Sequence, residues 1–333
     1  MPRYRAIASV GPDRPTGALA LAGGWAWFDR VEISGDGPER VAAASDLPLA
    51  ARARLTAPRA SLVGLSLERP RIMGILNVTP DSFSDGGRHA GAEAAAAGAA
   101  MVAAGADLLD VGGESTRPGA AEVPPEEEIA RVVPVIRALR ARGVVAPVSI
   151  DTRKAAVAAA ALDAGADMVN DVSALGHDPA MAGLVAARGV ALCLMHARGT
   201  PETMQRDPHY ANVLAEVFET LAARIALAEA EGIARARILV DPGIGFGKTA
   251  AHNLALLRGL SLFHDLGCAL LLGVSRKSFI GTISGEPEAT RRAPGSIALG
   301  LEALRQGAQV LRVHDVAETA QAVALWRAVN APG

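Results

Sequence analysis

Short apolar runs alternate with stretches of helix-forming residues from about residue 71 to the end of the chain. The runs are apolar at consecutive positions, a pattern typical of strands that are buried on both faces of a parallel sheet. Eight such runs occupy residues 72–78, 108–111, 148–150, 168–172, 190–195, 238–240, 269–274 and 310–313. The pattern therefore predicts eight buried strands.

Each run is followed by a helical pattern, and Gly105, Gly165 and Gly307 stand where a helix ending in the left-handed conformation places glycine. The patterns cover residues 90–104, 125–141, 154–164, 179–187, 213–231, 250–260, 293–306 and 317–329. Eight strand–helix units predict an α/β fold, the (β/α)8 or TIM barrel. A doubly wound open sheet has the same alternation and remains the alternative.

Residues 1–69 lack this rhythm, and we interpret them as a small N-terminal extension beside a barrel domain at residues 70–333. The extension holds two of the three tryptophans, and residues 31–34 alternate in polarity, which indicates some β structure. Residues 17–28 resemble a secretory signal, but charged residues and a proline precede them, so we interpret them as a buried strand or hairpin. The extension either covers the N-terminal mouth of the barrel or joins a dimer contact.

Composition excludes several classes of protein. The net charge is −2, without the basic excess of a nucleic-acid-binding protein. Half of the residues are apolar, which excludes disorder, yet no run reaches the roughly 18 residues of a membrane helix. Cys193 and Cys268 lie in apolar runs, where thiols usually fill the core. We expect a cytoplasmic protein that acts neither on nucleic acid nor at a membrane.

A polar residue follows nearly every apolar run, and in a barrel these positions converge on one mouth. They are Asn77, residues 114–117, Asp151, Asn170, Asp171, His196, Asp241, residues 275–277, Arg312 and His314. Carboxylates accept hydrogen bonds from N–H groups, while amide and ammonium groups donate hydrogen bonds to carbonyl oxygens and ring nitrogens. Four of these residues therefore suit a nitrogen heterocycle. Those four are Asp151, Asn170, Asp241 and Lys277. Arg117, Arg312 and His314 suit a phosphate or a carboxylate.

Residues 241–249 resemble a P-loop but depart from it at one position. The pattern that ends in Gly247, Lys248 and Thr249 requires a glycine at position 242, which is Pro242 and has no N–H for a phosphate. We interpret the segment as a tight turn that exposes Asp241. The sequence also lacks a nucleophile elbow, a zinc-binding HExxH motif and a CxxC pair, so it offers the residues for neither acyl-enzyme nor zinc hydrolase chemistry.

Two long strings resemble the signatures of the dihydropteroate synthase family. They are MGILNVTPDSFSDGG at residues 73–87 and DVGGESTRPG at residues 110–119. Shorter matches follow in the family's order at residues 149–154, 170–173, 199–205, 241–249, 275–281 and 312–315. The resemblance covers residues 71 to about 330. One departure is Ala197, where the family commonly carries methionine.

The resemblance implies condensation of (7,8-dihydropterin-6-yl)methyl diphosphate with 4-aminobenzoate, giving 7,8-dihydropteroate and diphosphate in folate biosynthesis, the step that sulfonamides block. It implies that the pterin is held by Asp151, Asn170, Asp241 and Lys277. It implies that the diphosphate is held by Asn77, Arg312 and His314, with Asn77 also a ligand of Mg²⁺. The aminobenzoate pocket would comprise Phe83, Thr116, Arg117, Pro118 and Ser278. We expect Lys277, Arg312 and Asp151 to be catalytic, and the enzyme to be a homodimer.

Two alternatives remain: a pterin-binding methyltransferase domain, which needs neither the two loop strings nor a diphosphate clamp, and a non-catalytic paralogue. The loop segments 79–89 and 113–123 are rich in Gly, Ser, Asp and Pro. We expect them to be mobile in the empty enzyme, and pterin diphosphate to bind first and order them.

Overall fold

The computed structural model describes residues 2–78, 88–115, 120, 122–199, 203–204 and 207–331. Its N-terminal part is a small β structure with one helix. The elements are β1 (Arg3–Ala6), β2 (Leu19–Ala20), β3 (Trp27–Phe28), β4 (Arg30–Ser34), β5 (Arg40–Ala43) and α1 (Leu49–Thr56). Strands β1, β4 and β5 form an antiparallel sheet, and β2 pairs with β3. Residues 17–28 therefore contain the predicted hairpin.

Eight parallel strands follow and close into a barrel in chain order. They are β6 (Arg71–Asn77), β7 (Leu108–Gly112), β8 (Val148–Asp151), β9 (Met168–Asp171), β10 (Ala191–Met195), β11 (Ile238–Asp241), β12 (Ala269–Leu272) and β13 (Val310–Val313). The last strand pairs with the first, from Val310 beside Arg71 to Val313 beside Gly74. The predicted (β/α)8 barrel is confirmed, and the doubly wound sheet is wrong.

Helices surround the barrel. They are α2 (Arg88–Ala103), α3 (Pro125–Ala141), α4 (Ala155–Asp163), α5 (Ala180–Arg188), α6 (Val213–Ala230), α7 (Ala250–Arg258), α8 (Ser278–Ser284), α9 (Ala293–Arg305) and α10 (Val316–Asn330). Helix α8 and a 3₁₀ helix at Leu260–Leu266 are absent from the predicted pattern. Both have seven residues, which is too short for the hydrophobic pattern of a helix to be distinguished from that of a strand.

The strands are apolar at consecutive positions because both of their faces are buried. One face packs against the helices, and the other fills the barrel with side chains that include Met73, Leu108 and Met168. Leu62 and Leu67 of the extension join this interior cluster and cover the N-terminal mouth. Cys193 and Cys268 are free and buried, as predicted. The opposite, C-terminal mouth is thus where polar side chains can meet a ligand.

The extension contacts the barrel domain at the 3₁₀ helix and at helices α9 and α10. The Tyr4 backbone N–H donates to Asp265 Oδ2 at 3.0 Å, and the Arg54 guanidinium pairs with Asp265 at 2.8 Å. Trp25 Nε1 donates to the Leu304 carbonyl at 2.8 Å, and its ring meets Trp326 edge-on at 6.4 Å between centroids. These contacts lie on the outside of the barrel, away from its C-terminal mouth.

Candidate active site

Several of the predicted polar residues that the structure describes meet at the C-terminal mouth. Asn77, Asp151 and Asp241 are the last residues of β6, β8 and β11, and because the strands are parallel these residues lie at the same end of the barrel. Asn170 stands beside Asp151 in the strand register, and Arg312 is the third of the four residues of β13. The strand ends therefore bring together the side chains that the sequence placed in one site.

Arg312 connects two carboxylates inside this mouth. Its Nε donates to Asp110 Oδ2 at 2.5 Å, and its Nη2 donates to Asp151 Oδ2 at 2.7 Å. Asn170 Nδ2 donates to the same Asp110 oxygen at 3.0 Å. Within the described ranges the remaining nitrogen, Nη1, has no hydrogen-bond partner. Arg312 is thus oriented by two anions and keeps the two N–H groups of Nη1 for a ligand.

Burial and charge shift the ionisation of this group. Burial raises the pKa of Asp151 to about 7, which Arg312 opposes and Asp110 reinforces. Burial disfavours the Arg312 cation, but Asp110 and Asp151 outweigh burial and raise its pKa. Asp110 Oδ1 and Asp151 Oδ1 are buried and accept no hydrogen bond from the described residues. Because a buried polar atom without a partner costs free energy, a ligand that donates N–H groups here is favoured.

Asp241 divides its carboxylate between the turn and the mouth. Oδ1 accepts the Gly243 N–H at 2.7 Å, which stabilises the turn after β11. Oδ2 lies 3.3 Å from the place where a Cβ on Gly273 would stand, and among the described residues it accepts no hydrogen bond. Burial raises the pKa of Asp241, against the Gly243 N–H and Lys277. Oδ2 is therefore the acceptor that remains for a ligand.

Lys277 and the ring of Phe246 lie together at another part of the mouth. Lys277 Nζ lies 4.0 Å from the ring centroid of Phe246, at cation–π distance. Ser278 follows as the exposed first residue of α8. Phe246 belongs to the turn after β11, and the sequence pattern does not predict it because it is neither polar nor at the end of a strand.

His314 is neutral and held by Ser275. The Ser275 hydroxyl accepts the His314 backbone N–H at 3.1 Å and lies 3.0 Å from Nδ1. Since the serine oxygen already accepts one hydrogen bond, its proton can go to Nδ1, which favours the tautomer with hydrogen on Nε2. Burial, Arg312 and Arg276 lower the pKa of His314 to about 3. Asp315, next to His314, pairs with Arg276 at 2.5 Å.

Other polar residues at the strand ends stabilise loops. Asp171 accepts backbone N–H groups of Ser173 and Leu175 at 2.8 and 2.7 Å. Glu114 belongs to a buried ion cluster, 3.1 Å from both Arg153 and Lys154. That cluster connects the loop after β7 to the start of α4. Among the described residues, none of its three side chains is hydrogen-bonded to Arg312 or Asp241.

Asp110 is the functional candidate that the sequence analysis missed. It interrupts the apolar run of β7 as its single charged residue, and this interruption is the signal that would have identified it. Phe83, Thr116, Arg117 and Pro118 lie outside the described residues, as do residues 79–87, 116–119 and 121 of the two loop segments. Their expected mobility and the expected order of binding stay predictions.

Known proteins share this architecture and sequence. A model of the pterin binding enzyme family matches residues 73–314. Dihydropteroate synthase of Neisseria meningitidis serogroup B is 48% identical over 272 residues, which are 80% of this chain and 95% of the relative. The structure of Xanthomonas albilineans dihydropteroate synthase with 4-aminobenzoic acid has a TM-score of 0.77 at 49% identity, covering 83% of this chain and 99% of that chain.

The same bacterium's enzyme in complex with 7,8-dihydropteroate has a TM-score of 0.74 at 47% identity, covering 82% of this chain and 99% of that chain. The barrel, the polar residues at its mouth and the sequence similarity over about four fifths of the chain agree with one another. The chain belongs to the pterin binding enzyme family and, within it, to the dihydropteroate synthases.

Proposed function

We propose that the C-terminal mouth joins (7,8-dihydropterin-6-yl)methyl diphosphate to 4-aminobenzoate, the reaction of the dihydropteroate synthases. The observation that carries this proposal is the arrangement around Arg312. Carboxylate oxygens of Asp110 and Asp151 that lack partners among the described residues, together with Asp241 Oδ2, lie beside a guanidinium that keeps the two N–H groups of Nη1. One part of the mouth thus accepts N–H groups, and the adjoining part binds an anion.

The acceptor part suits the pterin. Asp241 Oδ2 would accept hydrogen bonds from the amino group and the ring N–H of the pyrimidine edge. The Asn170 amide would form a hydrogen bond with the adjacent ring. Asp151, with its pKa near 7 and its unpaired Oδ1, would lie against the polar edge of the second ring. Lys277, supported by the Phe246 ring, would approach a carbonyl oxygen or a ring nitrogen.

The donor part suits the diphosphate. Arg312 Nη1 and the Nε2–H of His314 would bind its oxygens, where negative charge grows as the C–O bond breaks. The ring nitrogens of the dihydropterin can stabilise a developing carbocation at the methylene carbon, so a dissociative path is available. The aryl amine has a free lone pair at neutral pH and needs no strong base, and its carboxylate would meet Lys277 and Ser278.

We place Mg²⁺ beside this anion site. Asp151 Cβ, Asp151 Oδ2 and Asn77 Oδ1 lie 3.4, 3.7 and 3.8 Å from the place where a Cβ on Gly112 would stand, so two oxygen atoms border the space that the glycine leaves. Mg²⁺ prefers oxygen ligands and commonly uses one or two protein groups with substrate phosphates and water. Asn77 would hold the ion through its amide oxygen. Bound there, Mg²⁺ would supply charge neutralisation of the leaving diphosphate.

Asn77→Ala should raise the Mg²⁺ concentration for half-maximal activity by about tenfold, because a tenfold change is about 1.4 kcal/mol, the size of one lost polar ligand. Titrating Mg²⁺ in a diphosphate-release assay measures the shift. Calorimetry with a pterin that lacks the diphosphate, in metal-free buffer, is the control and should give equal affinities for both proteins. An unchanged Mg²⁺ dependence would remove Asn77 from the metal site.

We also propose a cytoplasmic homodimer. Leu325 and Val329 lie one turn apart on α10 and are 65% and 78% exposed, which supports a contact with another chain. The two buried free cysteines suit a reducing compartment. Among the helices of the described residues, none has the length and apolar character to cross a bilayer.

A two-substrate assay tests the reaction itself. Dihydropteroate and diphosphate should form in equal amounts when both substrates and Mg²⁺ are present, and neither should form when one substrate is omitted. Pterin binding without product would support a non-catalytic paralogue instead. Methyl transfer from a methylated pterin, without diphosphate release, would support the methyltransferase alternative.

A further inference from the structure

The chain contains three lysines and thirty arginines. All three lysines lie in connections that follow barrel strands, namely Lys154, Lys248 and Lys277. Lys277 belongs to the candidate site, and Lys154 pairs with Glu128 and Glu114. Lys248, in the string that resembles a P-loop, is only 3% exposed and forms no ion pair with a described carboxylate. Its burial therefore needs another explanation.

The Lys248 ammonium is held by oxygen and nitrogen acceptors from two loops. Its Nζ lies 2.9 Å from His196 Nδ1, from the Gly243 carbonyl and from the Phe246 carbonyl, with the His196 carbonyl at 3.2 Å. An ammonium has three N–H donors, so the three shortest contacts use all of them. Burial and Lys248 lower the pKa of His196 to about 3, which leaves Nδ1 free to accept.

Alternate glycines allow the turn to present these carbonyls. Gly243, Gly245 and Gly247 have φ values of +68°, +83° and +63°. A Cβ on Gly243 would stand 1.8 Å from the His196 carbonyl oxygen, and one on Gly247 would stand 2.4 Å from the Arg198 carbonyl oxygen. The turn after β11 thus packs directly on the end of β10. A P-loop surrounds an anion with N–H groups, whereas this turn surrounds a cation with carbonyl groups.

We propose that Lys248 is a positioning residue for pterin binding, an internal cation that joins the end of β10 to the turn carrying Asp241 and Phe246. Gly243 connects the two ends of this arrangement, since its N–H holds Asp241 Oδ1 and its carbonyl accepts from Lys248. Phe246 likewise contacts Lys248 through its carbonyl and Lys277 through its ring. The inference rests on the proposed role of Asp241 in holding the pterin.

This geometry explains lysine at position 248 in an arginine-rich chain. The acceptors converge on one nitrogen, which a compact ammonium with rotatable donors satisfies. A guanidinium spreads its donors over a planar fork and does not match such a point. Charge alone is therefore not enough, and Lys248→Arg should behave like a loss of the residue.

The principal test is calorimetry on the full chain at pH 6 with two probes, a pterin that lacks the diphosphate and inorganic diphosphate. Burial lowers the pKa of Lys248 to about 7, so the cation predominates at pH 6. Lys248→Met should weaken pterin binding by about tenfold and change diphosphate binding by less than about twofold. A purely structural role would lower thermal stability while leaving pterin affinity of the folded protein unchanged, and that result would overturn the proposal.

Substitutions at His196 provide a milder test if Lys248→Met does not fold. His196→Asn keeps an acceptor near the position of Nδ1 and should bind the pterin within about twofold of the unmodified protein. His196→Leu removes the acceptor and should weaken pterin binding by about threefold. Equal pterin affinities for the two would contradict the proposal.

Asp241→Ala separates this inference from the proposed function. Unchanged pterin affinity in Asp241→Ala would refute the role of Asp241 and with it the basis of the inference. Loss of affinity in Asp241→Ala together with full affinity in Lys248→Met would refute the role of Lys248 alone.

Discussion

Replacing Asp241 with alanine should weaken binding of a pterin that lacks the diphosphate by at least about tenfold. The carboxylate would accept two charge-assisted hydrogen bonds, each contributing about 1.5–3 kcal/mol, and 1.4 kcal/mol corresponds to a factor of ten. Affinity for inorganic diphosphate should change little, because the groups proposed to bind it lie on β6 and on β13 and its following loop. Calorimetry with the two ligands measures both affinities.

Asp241→Asn is the matched control for the turn. Its side-chain oxygen can still accept the Gly243 N–H, which Asp241 Oδ1 accepts at 2.7 Å, whereas the charge and the second acceptor are lost. We expect this variant to unfold near the temperature of the unmodified protein and to bind the pterin nearly as weakly as Asp241→Ala does. Full pterin affinity in Asp241→Asn would show that Asp241 acts only by capping the turn.

Arg312→Ala should lower kcat by about a hundredfold or more, the usual cost of removing a donor that stabilises charge developing in a transition state. It should weaken diphosphate binding more than pterin binding. The family resemblance assigns Arg312 to the diphosphate, but its hydrogen bonds to Asp110 and Asp151 imply a smaller loss of pterin affinity as well. The diphosphate-release assay and the same calorimetry measure these effects.

The stability of Arg312→Ala should depend on pH. The folded pKa of Asp151 is raised to about 7, so ionising this carboxyl destabilises the fold increasingly as pH rises from about 4 to 7. Without the guanidinium this penalty grows, and an unpaired buried charge costs about 3–5 kcal/mol. The deficit in melting temperature should be larger at pH 8 than at pH 5. A deficit that is the same at both values would contradict the pairing.

The strand ends could be predicted from the sequence because a buried parallel strand is apolar at consecutive positions and stops where polar residues begin. Asn77, Asp151 and Asp241 were found in this way. The pairing of Arg312 with Asp110 could not be found, because the two are 202 residues apart and meet only when β13 closes against β6. Asp110 also lies inside its strand rather than at the end.

Two other features depend on geometry that composition does not encode. The ring of Phe246 lies against the Lys277 ammonium. An aromatic residue in a loop has no sequence pattern that predicts such a contact. Pro242 distinguishes residues 241–249 from a P-loop in the sequence, but the contacts of Lys248 depend on where the loops after β10 and β11 meet. Sequence patterns identify strands and their ends, whereas contacts between loops require the folded chain.

A crystal structure of this chain with a pterin and diphosphate bound tests the central claim most directly. We predict the amino-pyrimidine edge of the pterin within hydrogen-bond distance of Asp241 Oδ2, and the diphosphate between Asn77, Arg312 and His314. A pterin bound in the opposite orientation, with that edge against Arg312 and His314, or one bound outside the C-terminal mouth, would contradict the assignment of the site.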